Sequence, residues 1–140
     1  MKFIKGLLIL LSFLLFSLGF SGCLKNQAVN LSIDSVPVGM VETTMDGTIV
    51  YSNLAYQKML GYSLEELKKL TYQELTPPKW HEMEKEIVEK AMKDDYVKFQ
   101  KEYIKKDGNT LSIELSGWII KDKDGNAIGT SSIVRVVEDN

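Results

Sequence analysis

Two short turns in the C-terminal part of the chain constrain its fold more than any other feature. Lys106-Asp107-Gly108-Asn109 and Asp122-Lys123-Asp124-Gly125-Asn126 separate three runs that alternate with period two, residues 96–104, 110–120 and 128–137. Asp-Gly pairs favour tight hairpin turns, because glycine readily adopts the positive φ that such turns need. Strands joined by turns this short pair antiparallel. The sequence therefore predicts three consecutive antiparallel strands here.

Two further strands and two short helices are predicted upstream. Residues 38–44 and 48–51 have strand composition and flank Met45-Asp46-Gly47, a third Asp-Gly turn. Helices are predicted over residues 54–60 and 64–70. Asn53 is a favourable cap for the first helix, and Ser63 followed three residues later by Glu66 forms a capping box for the second.

One longer helix is predicted over residues 78–92, with Pro77-Pro78 as its rigid entry. Helical spacing indicates a buried stripe made of Trp80, Met83, Ile87 and Ala91. All helices lie between the second and third strands. We therefore predict an α+β domain, a five-stranded antiparallel sheet with helices packed on one face.

The first 22 residues are typical of a targeting segment. Lys2 and Lys5 precede an apolar run over residues 6–20 that is short for a membrane span and ends in small residues. Phe20-Ser21-Gly22-Cys23 resembles the bacterial lipobox, so we expect a signal peptide over residues 1–22, a lipidated tether over 23–32 and one domain over 33–140. The alternatives are an unmodified cysteine and an uncleaved segment that remains as an anchor.

Cysteine content and charge narrow the function classes. Cys23 is the only cysteine, so the predicted domain has no disulfide, thiolate metal site or thiol chemistry. The net charge of −2 at pH 7 does not favour nucleic acid, which attracts clustered Lys and Arg. The lone histidine, His81, has no partner at a spacing that indicates a nucleophile and base, so we predict no enzyme and no metal site.

Several short motifs, in matching order and spacing, resemble the sequence boxes of PAS domains. They are Asp46-Gly47 with residues 49–53, Ala55 and residues 60–67, followed by residues 106–109, Asp124-Gly125 and Val134-Arg135. The resemblance covers about residues 33–137. It implies a five-stranded antiparallel sheet, helices on one face and a small central cavity. It also implies sensing of a ligand, cofactor, redox state or light, or else domain dimerisation.

Relatives of this kind usually precede a kinase, cyclase or transcription effector, whereas this sequence has a predicted secretion signal and no effector segment. In the heme-binding branch the axial histidine falls near Glu84 by alignment on Leu75-Thr76-Pro77, so His81 is expected to be a surface residue at the helix start. The photoactive flavin branch needs a cysteine within residues 53–92, where none occurs. Heme and cysteinyl-flavin are thus disfavoured, and the cofactor is left unassigned.

Strand alternation indicates a wall that faces the helices. Val97, Phe99 and Tyr103 lie on one face of their strand, and Gly117 leaves room beside the hydroxyls of the last strand. Small hydroxyls on an apolar wall are typical of a pocket for a small ligand, although a filled core with internally bonded hydroxyls is an equal alternative. The predicted ligand-binding residues are Met59, Leu60, Met83, Ile87, Phe99, Ile113, Leu115, Thr130 and Ser132.

Two functions follow from these patterns. The first is a sensor on the outside of the cytoplasmic membrane or in the outer membrane, held by lipid on Cys23 and binding a small molecule for signal transduction. The second is a ligand-free module that pairs with itself or with an envelope signalling protein through the outer face of the sheet. Opposite alternation predicts that this face carries Trp118, Ile120, Ile133 and Val137.

Overall fold

The structure is a computed structural model that describes residues 38–137. The predicted signal segment, Cys23 and the tether lie outside the described residues. The strands are β1 Gly39–Thr44, β2 Ile49–Ser52, β3 Tyr96–Ile104, β4 Thr110–Lys121 and β5 Ala127–Val136. The helices are α1 Leu54–Leu60, α2 Leu64–Leu67 and α3 His81–Asp94, the last preceded by a 3-10 turn Pro78–Trp80.

The five strands form one antiparallel sheet in the order β2-β1-β5-β4-β3. The turns between β3 and β4 and between β4 and β5 place Gly108 at φ 86° and Gly125 at φ 85°. An L side chain rarely adopts that conformation, which explains the glycines at these positions. The helices within residues 38–137 all lie in the crossover between β2 and β3, on one face of the sheet. The predicted α+β class and sheet are confirmed.

Asn53 fixes the start of α1 against β1. Its side-chain oxygen accepts hydrogen bonds from Tyr56 N at 3.0 Å and Met40 N at 2.9 Å. Its side-chain nitrogen donates to the Val38 carbonyl at 2.9 Å. A single amide thus caps the helix and joins it to the neighbouring strand, a larger role than the predicted cap alone. The predicted capping box between Ser63 and Glu66 is also confirmed.

The core divides into two clusters on the helix-covered face. The larger cluster lies beneath α1 and α2 and contains Val41, Ile49, Tyr56, Leu60, Leu67, Leu75, Tyr103, Ile113, Leu115 and Val134. A smaller cluster beneath α3 contains Ala91, Val97 and Ile119, with Ile87 and Phe99 packed against it. Buried positions in β4 alternate from Ile113 to Ile119, which confirms the predicted register of that strand.

The predicted buried stripe of the long helix is wrong at its N-terminal end. Trp80 lies in the 3-10 turn, and its indole nitrogen donates to Glu102 Oε2 at 3.1 Å on β3. Met83 is half-buried, whereas the next residue, Glu84, is only 4% exposed. The face of the helix that points inward is formed by Glu84, Ile87 and Ala91. The glutamate can be buried because it forms an ion pair with Lys101 inside the domain.

Candidate functional site

A cavity of about 70 Å³ lies between α3 and the sheet and is partly open to solvent. A volume of this size holds several water molecules or one small organic molecule. Its walls come from one face of α3 and from the inward residues of four strands. The apolar lining consists of Val41, Ile87, Val88, Ala91, Val97, Phe99, Leu115, Gly117, Trp118 and Ile119.

A buried ion pair forms one polar part of this lining. The Lys101 ammonium on β3 contacts Glu84 Oε1 on α3, and the two side chains are 2% and 5% exposed. A charge taken out of water at such depth is tolerated when it is paired and hydrogen-bonded. The pair therefore connects the helix directly to the sheet at the wall of the cavity.

Thr76, in the loop before α3, completes the polar group. Its hydroxyl accepts from Lys101 Nζ at 2.9 Å and lies 3.2 Å from Glu84 Oε1. The same hydroxyl lies 2.8 Å from the Tyr72 carbonyl oxygen, to which it donates. Because one loop residue contacts both members of the ion pair, the loop, the helix and the strand are held in register.

Two aromatic rings surround the buried ammonium. Lys101 Nζ lies 4.6 Å from the ring centroid of Tyr103 and 5.4 Å from that of Tyr72. Such cation–π contacts are strongest where water is excluded. Burial, with the nearby Glu84 and Tyr103, raises the pKa of Tyr72 above its usual value, so its hydroxyl stays protonated at neutral pH.

The opposite part of the lining carries small hydroxyls. Thr43 and Thr130 are cross-strand neighbours whose Oγ1 atoms are 2.9 Å apart, so they satisfy each other. A Cβ added at Gly117 would lie 2.9 Å from Ser132 Oγ, so the glycine provides the space in which that hydroxyl sits. The expectation that Gly117 leaves room beside the last strand is confirmed.

The structure brings together five of the nine residues predicted to bind a ligand: Ile87, Phe99, Leu115, Thr130 and Ser132 all line the cavity. Leu60 and Ile113 are fully buried in the larger core cluster instead, with Met59 packed against it. Met83 is half-buried and outside the cavity lining. The expected closure of the cavity by α1 is wrong, because α1 packs on β1 and the larger cluster rather than beside α3.

The sequence analysis missed Glu84 and Lys101. The signal was present in the alternation, since Lys101 occupies the inward phase of β3 between Phe99 and Tyr103. Glu84 precedes Ile87 by three residues and Ala91 by seven, which is helical spacing on one face. A charged residue at an inward position, matched by an opposite charge at another, is a pattern that predicts a buried pair.

His81 is at the start of α3 as predicted, but it is not a solvated surface residue. Its Nε2 lies 3.1 Å from the Gln73 carbonyl and 2.9 Å from the Thr76 carbonyl, and the ring is half-buried. Two carbonyl acceptors require a protonated Nε2. The histidine therefore fixes the loop that carries Thr76.

Within residues 38–137, no group of three or more His, Cys, Asp or Glu side chains has a geometry suited to a metal ion. Over the same residues, no helix combines the length and the apolar character that spanning a membrane requires.

Comparisons with known proteins agree with this architecture. A family model described as PAS domain matches residues 37–139. A search of curated protein sequences found no match to this chain.

Solved structures with the same fold include two PAS domains and a light-oxygen-voltage domain. The PAS domain of a Colwellia psychrerythraea protein is 23% identical, with a TM-score of 0.71 over 74% of this chain and 89% of that chain. A PAS domain from a two-component sensor histidine kinase is 18% identical, with a TM-score of 0.64; the match covers 75% of this chain and 89% of that chain. A light-oxygen-voltage domain studied with a flavin analogue is 21% identical, with a TM-score of 0.62; the match covers 72% of this chain and 78% of that chain. The chain therefore belongs to the PAS domain family, whose members are signal-sensing modules.

Proposed function

We propose that this PAS domain senses a small molecule bound in the cavity between α3 and the sheet, and that a lipid on Cys23 holds it in the cell envelope. The observation that carries the ligand proposal is the cavity itself, which combines an apolar wall with a buried polar group. Ligand pockets typically have that composition, with a few polar groups fixing orientation.

The position of the cavity suggests how binding is transmitted. The Glu84 and Lys101 ion pair and the smaller apolar cluster hold α3 against the sheet. A molecule bound between them contacts both layers and changes the separation or register of α3. A ligand shifts an equilibrium only by its different affinity for two states, so the bound state is one in which α3 fits the ligand.

Ser132→Phe tests the ligand proposal, because the new ring would enter the cavity beside Gly117. We expect the variant to fold and to lose any small molecule that native mass spectrometry detects on the full-length protein. Ser116→Phe is the matched control, since Ser116 lies opposite Ile133 on the other face of the sheet. A Ser132→Phe variant that is strongly destabilised, from a wild type that carries no added mass, would reject ligand sensing and leave a filled core.

Cys23→Ala tests the anchor separately. Cys23 lies outside the described residues, and its assignment depends on the charged start, the apolar run and the small residues before it. We expect the substitution to release the protein from the membrane fraction or to leave it unprocessed. Unchanged mature mass together with unchanged membrane fractionation would contradict lipidation.

The alternative function is dimerisation or binding of an envelope protein through the outer face of the sheet. Trp118, Ile120 and Ile133 lie on that face and are half-buried, and Tyr96, opposite Trp118, is 51% exposed. Val137 lies one residue beyond the end of β5, where its N–H donates to the Ser112 carbonyl. Light scattering on wild type and Ile133→Glu tests this function, which predicts a dimer that the substitution dissociates; Ile133 is outside the cavity lining.

A further inference from the structure

The polar part of the cavity contains a hydrogen-bond acceptor that the described part of the protein leaves unused. Glu84 Oε1 is contacted by Lys101 and Thr76, whereas Glu84 Oε2 has no hydrogen-bond partner among residues 38–137. Glu84 is 4% exposed and lines the cavity. Buried polar atoms in proteins are nearly always satisfied, so an unsatisfied carboxylate oxygen beside a cavity indicates a donor on what binds there.

The charges around this oxygen restrict the ligand further. Lys101 and Glu84 neutralise each other, and the rings of Tyr72 and Tyr103 lie beside the ammonium. An anionic ligand would meet a cation that is already paired, and a cationic ligand would leave a net charge in a buried site. Both situations are unfavourable where water is excluded. A neutral ligand avoids both.

Building on the proposed function, we propose that the cavity is selective for a small neutral amphipathic molecule whose hydroxyl or amide N–H donates to Glu84 Oε2. The aliphatic part of such a molecule packs against Ile87, Phe99 and Leu115. The volume of about 70 Å³ is roughly half of the ~150 Å³ cavity that accommodates benzene, so we expect the enclosed space to hold about three non-hydrogen atoms of a small ligand, the rest of which extends through the open side.

Two probes of equal size separate donation from shape. The alcohol 2-butanol has a hydroxyl donor, whereas the ketone 2-butanone has the same carbon skeleton and only an acceptor. Titration of the full-length protein is followed by the amide NMR shifts of cavity residues such as Ile87 and Ser132. We expect the alcohol to bind about tenfold more tightly than the ketone, on the scale for a buried polar group left unpaired. Butyrate and sec-butylammonium are expected to bind more weakly than the alcohol.

The double variant Glu84→Leu/Lys101→Met identifies the responsible group. It removes both charges together, and apolar replacement of a whole buried pair is generally tolerated by the fold. We expect this variant to lose the preference for the alcohol. The control is Lys98→Met/Glu114→Gln, which also removes an ion pair that involves β3, in this case one of 2.9 Å to Glu114 on β4, outside the cavity lining. The control is expected to retain the preference.

The possible results separate this inference from the proposed function. Equal affinity for alcohol and ketone, with both lost in Ser132→Phe, would overturn donor selectivity while supporting a binding cavity. Tightest binding by either charged probe would overturn neutrality of the ligand. A preference that persists in the double variant would overturn the assignment to Glu84. Cavity amides that respond to none of the four probes would overturn both proposals. The wild-type comparison needs no variant to fold.

Discussion

The space between the helices and the sheet has two halves that differ in how completely they are filled. Beneath α1 and α2, Tyr56, Leu60 and Leu67 are all 0% exposed and pack against inward residues of the strands. Beneath α3, the same face of the sheet borders a cavity of about 70 Å³. In β4 the boundary falls between adjacent inward positions, with Ile113 at 0% exposure in the filled half and Leu115 on the cavity wall.

The difference follows from side-chain size and charge. The filled half receives large side chains from its helices, whereas the face that α3 presents to the sheet has the small Ala91 and the charged Glu84 on either side of Ile87. On the sheet side, Gly117 and Ser132 are also small. The charged groups of the ion pair must be hydrogen-bonded, so their positions are fixed by polar partners. They therefore do not fill the remaining volume as packed aliphatic side chains do. A common sheet thus borders a filled core in one half and an open cavity in the other.

The largest effect is expected from breaking the ion pair on one side only. Glu84→Leu leaves the Lys101 ammonium buried without its carboxylate, a change that costs about 3–5 kcal/mol in the free energy of unfolding. Glu84→Leu/Lys101→Met should recover most of that loss. Urea denaturation measures both variants. Loss of less than about 1 kcal/mol in the single variant, the scale of an exposed pair, would show that the pair is solvated.

Truncating an inward aliphatic side chain of β4 to alanine should lower the free energy of unfolding by different amounts in the two halves. Ile113→Ala is expected in the upper part of the ~2–5 kcal/mol range for buried aliphatic residues, because Ile113 is fully buried within the larger core cluster. Leu115→Ala is expected near the lower end, because Leu115 already borders open space. Chemical denaturation with unchanged m-values provides the comparison. Equal losses would mean that the cavity is closed in solution.

Added methyl groups test the same contrast from the opposite direction. A Cβ at Gly129 would overlap the Thr43 carbonyl oxygen, so Gly129→Ala requires a backbone shift and is expected to cost about 1–3 kcal/mol. A Cβ at Gly117 meets Ser132 Oγ at 2.9 Å, and this small side chain can rotate into the cavity. Gly117→Ala is therefore expected to cost less than about 1 kcal/mol. The melting temperature should therefore fall further in Gly129→Ala than in Gly117→Ala.

The smallest effect concerns an exposed ion pair, which contrasts with the buried one. The Lys106 ammonium and then the Ser63 N–H lower the pKa of Glu66 from 4.5 to about 2. Because the carboxyl pKa is lower in the folded protein than in the unfolded chain, the ionised carboxylate stabilises the fold at pH values above the unfolded pKa. This stabilisation is lost as pH falls from about 4.5 towards 2. Wild type should melt slightly above Glu66→Gln at neutral pH and converge with it near pH 2. A difference independent of pH would show that ionisation of the Glu66 carboxyl contributes nothing to stability.

The elements of the fold were largely predictable because their signals are local. Asp-Gly turns fix the two C-terminal hairpins, and the residues that cap α1 and α2 were identified from their types and spacing. The cavity wall was predictable in part, since period-two alternation places Phe99 and Leu115 on the helix side. The position of α1 relative to the cavity was not predictable, because the strand on which a helix packs depends on contacts between residues far apart in the sequence.

The sequence by itself determined the order of strands and helices, the turn geometry and the inward phase of each strand, because each depends on residues close together in the chain. Only the tertiary structure decided that Glu84 faces inward in place of Met83. That choice depends on Lys101, which lies 17 residues away in sequence and comes into contact only when α3 packs on β3. The burial of a charge is favourable only together with its partner, so no local pattern of either residue alone could assign it.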